Sequence, residues 1–238
     1  MSLAEKISSG SSRPSLPRIA RVWLSRLRAE SQSNEWLSIL DWIERASPEL
    51  DRFEHLAPYA DILEKSCRVG NCKGERRDIV ASPPQHGKTL LTLHGFLWFD
   101  RFAPGLRHAY VTYSGDRAQD VAREFWALAE RLGFSPAGTL AKIILRNGSS
   151  VIFTSIGGKL TGAPIDGVCV IDDPLANKEQ ASSPTIRRRC IEFYETVARA
   201  RRHPGTSFIV MATRWHPEDL SGILINRGWA YTNLKAIA

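Results

Sequence analysis

The chain has 238 residues, of which 43% are apolar and 24% are charged, and its formal net charge is +7. This length suffices for one large α/β domain, or for a domain with a small helical appendage. No apolar run approaches the roughly 20 residues of a membrane span, and the Ser- and Pro-rich start lacks the apolar segment of a signal peptide. The composition indicates a globular protein without a membrane segment, and the basic charge favours a polyanionic partner.

The four cysteines predict neither a disulfide framework nor a zinc site. Cys67 and Cys72 are close in sequence, but no second pair or histidine cluster completes a metal site. Cys169 falls in an apolar strand pattern and Cys190 in a helical pattern. We expect reduced thiols, as is usual for a protein of the cytoplasm.

Helical periodicity dominates the first seventy residues, and strand and helix patterns alternate after them. Apolar residues at three- and four-residue steps predict early helices over 19–31, 34–46 and 57–69. Nearly continuous apolar runs predict buried strands over 77–82, 107–114, 167–174 and 206–213. Further helices are predicted over 88–102, 116–134 and 183–201, and from 216 with Pro217 in the first turn. Asn147-Gly148 predicts a hairpin between 141–145 and 149–156.

Apolar strands that alternate with helices are typical of a mostly parallel sheet covered on both faces. The sequence therefore predicts an α/β fold with an N-terminal helical extension. We expect a disordered leader over 1–17, a helical region over 18–70 and a nucleotide-binding core over 71–238.

The stretch SPPQHGKT, residues 82–89, lies between a predicted strand and a predicted helix. It matches a phosphate-binding loop except that Ser82 replaces the first glycine of G-x-x-x-x-G-K-[ST]. In such a loop the backbone N–H groups and the lysine bind phosphates, and the Thr hydroxyl binds Mg²⁺. The two prolines remove two N–H donors, which predicts a shortened loop that still binds. We predict that the nucleotide contacts come from Pro84, Gln85, His86, Gly87, Lys88 and Thr89.

Two later strand ends carry polar residues that suit the same chemistry. The strand VCVIDD ends in Asp172, which is placed to hold Mg²⁺ together with Thr89, and Asp173, which is placed to orient an attacking water. The strand FIVMAT ends in Thr213, a candidate sensor of the γ-phosphate, and Arg214 follows it. Because ligands bind at the carboxyl edge of open α/β sheets, these residues should converge. The sequence thus predicts a P-loop ATPase with Asp173, Lys88, Thr213 and Arg214 as catalytic residues. His216, two residues beyond Arg214, fits a structural role equally well.

The motifs together resemble the ATPase domain of tailed-phage large terminase subunits, the DNA-packaging motors. The matching pieces are SPPQHGKT, VTYSGDRAQDVA, SIGGKLTGAPIDGVCVIDDP and VMATRWHPEDLSGIL, which cover most of residues 77–225 in the order of that family. The resemblance implies an additional-strand P-loop core that uses ATP and Mg²⁺. It also implies translocation of double-stranded DNA into a procapsid in the host cytoplasm. Portal protein, a small terminase subunit and a homo-oligomeric ring are the implied partners, although the isolated chain can be a monomer.

Several positions depart from the pattern of the family. Gln85 and Ala163 stand where an arginine is frequent, and Asp172-Asp173 stands where Asp-Glu is frequent. The arginine that stabilises transition-state charge is therefore unassigned. Candidates are Arg214 within the subunit, or a neighbour's arginines, namely Arg199, Arg201 and Arg202. The sequence stops about where the ATPase domain should end, so we expect no nuclease activity.

Other functions stay open at this point. A helicase or another DNA-dependent ATPase would share the loop and the paired acids. A DNA-binding scaffold that binds nucleotide weakly without hydrolysis would fit the altered loop. The adenine pocket has Phe53, His55 and Tyr59 as candidates, and a core role suits each of them better.

Overall fold

The computed structural model describes residues 37–50, 54–67, 75–160 and 164–234. The predicted leader over 1–17 and the predicted helix over 19–31 lie outside these residues. Among the described helices, none is long and apolar enough to cross a membrane. Cys67, Cys169 and Cys190 are buried free thiols.

An eight-stranded sheet forms the centre of the described structure. Its strands are β1 Arg77–Ala81, β2 Arg107–Thr112, β3 Ala137–Thr139, β4 Lys142–Ile144, β5 Ser150–Ser155, β6 Val168–Asp172, β7 Ser207–Ala212 and β8 Ala230–Asn233. Their order across the sheet is β3-β4-β5-β2-β6-β7-β1-β8. Six neighbouring strands run parallel, namely β5, β2, β6, β7, β1 and β8 in their order across the sheet. Strands β3 and β4 are added beside β5 as an antiparallel edge. The mostly parallel α/β sheet predicted from the sequence is confirmed.

The position of β7 matches the additional-strand arrangement that the resemblance implies. β7 pairs in parallel with β1 on one side and with β6 on the other. It therefore separates the strand that enters the phosphate loop from the strand that ends in Asp172. The carboxyl ends of all three strands lie at one edge of the sheet, which we call the carboxyl edge.

Helices connect the strands and cover the sheet. They are α1 Ile39–Ala46, α2 Ala57–Glu64, α3 Lys88–Phe102, α4 Gly115–Arg131, α5 Lys178–Ser182, α6 Pro184–Glu192 and α7 Leu220–Asn226. Side chains cap several N-termini, as where Ser114 accepts a hydrogen bond from the Arg117 N–H before α4. The helix predicted over 183–201 changes character after α6, into a π-helical stretch over Phe193–Ala198 and a 3₁₀ turn over Arg199–Arg201.

Helix α3, which begins at the lysine of the phosphate loop, is buried along most of its length. Helices α1 and α2 both contact it. The Trp98 Nε1–H donates to the Leu37 carbonyl at 2.8 Å, and the Tyr59 hydroxyl lies 2.6 Å from Thr92 Oγ1. The N-terminal helices thus brace the helix that carries Lys88 and Thr89.

The structure corrects the predicted start of the last helix and adds two edge strands, and it confirms the predicted hairpin. The last helix begins at Leu220 after an Asp219 cap, so Pro217 lies in the preceding turn rather than in the helix. Residues 137–139 and 230–233 form edge strands that the sequence did not predict, because they are short and largely exposed and lack an apolar run. The Asn147-Gly148 hairpin does form, with Ile144 opposite Ser150 and Gly148 at φ +89°.

Candidate nucleotide-binding site

The phosphate-binding loop spans residues 82–87, between β1 and α3. Gly87 caps α3 at φ +78°, and Gln85 is also left-handed at φ +61°, with His86 between them at negative φ. Such alternation turns successive N–H groups towards one side and forms an anion-binding concavity. The first N–H groups of α3 have no partner within the helix, and they add its positive dipole end. The loop therefore has the form of a phosphate cradle although Ser82 replaces its first glycine.

Lys88 lies inside this loop with 5% of its surface exposed. Its Nζ donates to the Ser82 carbonyl at 3.2 Å and lies 3.8 Å from Asp173 Oδ1. A buried ammonium needs such partners, and it can exchange them for phosphate oxygens without leaving the site. The geometry suits a lysine that contacts the β- and γ-phosphates.

Asp172 ends β6 and is 3% exposed. Its Oδ2 accepts hydrogen bonds from Thr89 Oγ1 at 2.8 Å and from the Tyr110 hydroxyl at 2.5 Å. Its Oδ1 is buried and has no partner among the described residues. Burial, and next the negative charge of Asp173, raises the pKa of Asp172 above its ordinary range. A cation beside Oδ1 would relieve both effects.

These oxygens fit a magnesium ion that arrives with ATP. Mg²⁺ prefers hard oxygen ligands, and at nucleotide sites it uses one or two protein groups together with waters and phosphates. The Thr89 hydroxyl and the unpartnered Asp172 Oδ1 are such groups. No cluster of three or more His, Cys, Asp or Glu side chains suited to a metal occurs among the described residues.

Asp173 follows β6 with a left-handed backbone at φ +43°. Its N–H donates to the Met211 carbonyl at 2.8 Å, and its Oδ1 accepts from the Thr213 N–H at 3.1 Å. The carboxylate therefore spans from β6 to the end of β7 beside Lys88. Aspartate and asparagine are enriched among left-handed non-glycine residues, so this backbone suits Asp better than Glu.

Thr213 joins the end of β7 to the phosphate loop. Its hydroxyl donates to the Ser82 carbonyl at 3.4 Å, the same oxygen that Lys88 contacts. Lys88, Asp173 and Thr213 are thus connected through polar contacts, although they come from three separate parts of the chain.

Arg214 and His216 lie near this site, but their contacts point to the turn before α7. The Arg214 Nε donates to Asp219 Oδ2 at 3.2 Å, and its Nη2 donates to the His216 carbonyl at 3.4 Å. The His216 Nδ1 accepts from the Glu218 N–H at 3.0 Å. In this arrangement Arg214 holds the connection to α7 and does not contact Lys88 or Asp173.

Arg199, Arg201 and Arg202 lie at the opposite edge of the sheet. They precede β7, and Ile165, which precedes β6, forms a parallel bridge with Arg202. All three side chains are exposed. Because they lie at the amino edge, they are separated from their own subunit's phosphate loop by the length of the strands. Ala163 lies outside the described residues.

Of the two candidates for the adenine pocket that the structure describes, His55 touches the loop. The His55 Nε2 lies 3.0 Å from the His86 carbonyl. Tyr59 is fully buried against Thr92, which is a core position, and Phe53 lies outside the described residues. Tyr110, which contacts Asp172, was missed by the sequence analysis because a tyrosine in an apolar strand is typical of the core.

Comparisons with known proteins were made for sequence and for structure. No protein-family model matches the sequence, and no curated protein sequence matches it. The structure is similar to the large terminase of bacteriophage HK97, with a TM-score of 0.56, 20% identity and 80% of this chain covered. This chain spans 40% of the length of that terminase. The N-terminal domain of the bacteriophage phi29 DNA-packaging ATPase matches more weakly, with a TM-score of 0.48, 13% identity, 63% of this chain covered and 80% of that one. The resemblance indicated by the motifs is therefore confirmed as a fold, and the chain has the fold of the ATPase domains of phage large terminases.

Proposed function

We propose that this chain is the ATPase of a phage DNA-packaging motor, which hydrolyses ATP to translocate double-stranded DNA into a procapsid. The observation that carries the proposal is the convergence at the carboxyl edge of Lys88, Thr89, Asp172, Asp173 and Thr213. A phosphate cradle alone supports nucleotide binding. The two carboxylates beside it support hydrolysis, since one suits a metal and the other suits a water.

In the proposed reaction the loop N–H groups and Lys88 bind and orient the phosphates of ATP. Thr89 and Asp172 would hold Mg²⁺, which neutralises charge on the β- and γ-phosphates when it is bound. Asp173, freed from Lys88 when the lysine turns to phosphate, orients the attacking water and accepts its proton. Thr213 is hydrogen-bonded both to Asp173 and to the Ser82 carbonyl. A change of contacts at the γ-phosphate can therefore shift the end of β7 through Thr213.

A second cation at the γ-phosphate is expected to come from another subunit. An arginine finger contributes about 10³–10⁵ in rate, and Gln85 leaves the loop with Lys88 as its cation. Arg214 forms an ion pair with Asp219. Arg199, Arg201 and Arg202 lie at the amino edge of the sheet, opposite the carboxyl edge. Arginines at the amino edge can reach the phosphates only of another copy of the chain. This supports a trans-acting finger and a ring in the working motor. Portal protein and a small terminase subunit are part of the proposal through the resemblance alone.

The test is phosphate release by the purified chain with ATP and Mg²⁺, with and without double-stranded DNA. We expect slow hydrolysis whose specific activity rises with protein concentration, and stimulation by duplex DNA. Nucleotide binding without any hydrolysis under all these conditions would favour a non-hydrolysing DNA-binding scaffold. Unwinding of a forked duplex would favour a helicase. A host-cytoplasmic site of action follows from the packaging role and is part of the proposal.

A further inference from the structure

The carboxylate of Asp172 receives two hydroxyl hydrogen bonds on one oxygen and none on the other. Thr89 Oγ1 and the Tyr110 hydroxyl both donate to Oδ2, at 2.8 and 2.5 Å. Oδ1 is buried without a partner among the described residues. The two oxygens therefore have different roles before any ligand arrives, and Oδ1 is the one left for a cation.

Tyr110 reaches Asp172 from the neighbouring strand. β2 pairs in parallel with β6, and Tyr110 is in register with Val170. Since residues two apart in a strand share a face, Tyr110 and Asp172 project from the same face as diagonal neighbours. The tyrosine ring is fully buried and its centroid lies 5.8 Å from that of Phe153 in β5. Its hydroxyl is thus placed by the sheet and by ring packing.

The two hydroxyl donors differ in what binding would require of them. When a metal-nucleotide complex binds a P-loop, the oxygen of the Thr hydroxyl is a ligand of the metal, so Thr89 would have a second role beside its hydrogen bond to Asp172. Tyr110 belongs to β2, which β6 and β7 separate from β1, so its hydroxyl donates to Asp172 from outside the phosphate-binding loop.

We propose that Tyr110 is a positioning residue, which holds Asp172 by Oδ2 so that Oδ1 faces the metal. This rests on the proposed function, because it assigns Tyr110 to the metal step of that site. Outer partners that orient a metal-binding carboxylate commonly change metal affinity about 10- to 100-fold when they are removed. A tyrosine that merely fills the core would satisfy its hydroxyl on Asp172 without such an effect.

The experiment compares wild-type protein with Tyr110→Phe, which removes the hydroxyl and keeps the ring. Mn²⁺ binding to the ADP complex is measured by electron paramagnetic resonance, and ADP binding without metal is measured by calorimetry. We expect Mn²⁺ affinity to fall about 10- to 100-fold and metal-free ADP affinity to stay unchanged. In steady-state hydrolysis the Mg²⁺ concentration for half-maximal rate should rise by a similar factor.

The matched control is Tyr194→Phe, which removes the hydroxyl of another buried tyrosine, packed on Trp229 and on Phe208 near the start of β7. It should leave Mn²⁺ affinity unchanged. If Tyr110→Phe fails to fold, replacement of Tyr110 by 4-fluorophenylalanine fills the space of the hydroxyl without donating a hydrogen bond. Equal Mn²⁺ affinities in the wild type and in the folded Tyr110 variant would overturn the inference alone. No Mn²⁺–ADP binding by the wild type would instead overturn the proposed function.

Discussion

Replacement of Asp173 by asparagine isolates the charge of the candidate water-orienting group. The amide oxygen of the introduced asparagine can still accept the Thr213 N–H bond that Asp173 Oδ1 accepts at 3.1 Å. Asparagine also tolerates the left-handed backbone at φ +43° as aspartate does. The side chain keeps its volume, so we expect no cavity and no change of fold. What is lost is the negative charge, which lies 3.8 Å from Lys88 Nζ.

The expected loss of turnover follows from the role of the group. General-base catalysis contributes about 10²–10⁴ in rate, which corresponds to about 3–5 kcal/mol of transition-state stabilisation. ATP affinity should hold or increase, since Asp173 competes with phosphate for Lys88 and repels the γ-phosphate. The variant should therefore bind ATP with Mg²⁺ as a stable complex that does not turn over.

The assay pairs phosphate release with equilibrium binding of a fluorescent ATP analogue. Asp120→Asn is the control, because Asp120 is an exposed carboxylate on α4 that pairs with Arg123 at 2.7 Å, remote from the loop. Its turnover should equal that of the wild type. Turnover by Asp173→Asn at the wild-type rate would refute the assignment of the base, and His216 would become the next candidate.

Three further predictions concern the loop cation, the arginine finger and the stability of the fold. Lys88→Ala should lower turnover roughly 100-fold or more and weaken ATP binding, because a preorganised cation is lost, and normal phosphate release would contradict the loop assignment. Mixing Lys88→Ala with the double variant Arg201→Ala/Arg202→Ala should restore part of the turnover if the finger acts across subunits; mixtures as inactive as the separate proteins would remove these arginines from the site. Burial lowers the pKa of His108 from 6.5 to about 3, so its neutral form stabilises the fold above pH 6.5 and that contribution is lost as pH falls. Between pH 7.5 and 5 this one group should cost about 2 kcal/mol of unfolding free energy. Denaturant titrations of His108→Gln should show a correspondingly shallower fall, and identical pH profiles would contradict the burial of a neutral imidazole.

The amino-acid sequence by itself predicted the parts of the site. The periodicities placed a strand before residues 82–87, a helix from Lys88 and a strand that ends in Asp172, and the structure has each of them within a few residues. Nucleotide binding and hydrolysis could be predicted because the GKT motif and the paired acids are local sequence patterns. Parallel strands place their carboxyl ends at one edge, so convergence followed without knowledge of the strand order.

Only the tertiary structure decided which strands are neighbours and which side chains meet across them. The insertion of β7 between β1 and β6 brings Thr213 to both Ser82 and Asp173, and no local pattern specifies that lateral order. The pairing of β2 with β6 puts the Tyr110 hydroxyl on Asp172, whereas in sequence Tyr110 is one apolar-strand residue among several. Strand order and diagonal contacts depend on long-range packing of whole faces. The periodicity of apolar residues predicts which face of a strand is buried, but it does not predict which other strand or helix covers that face.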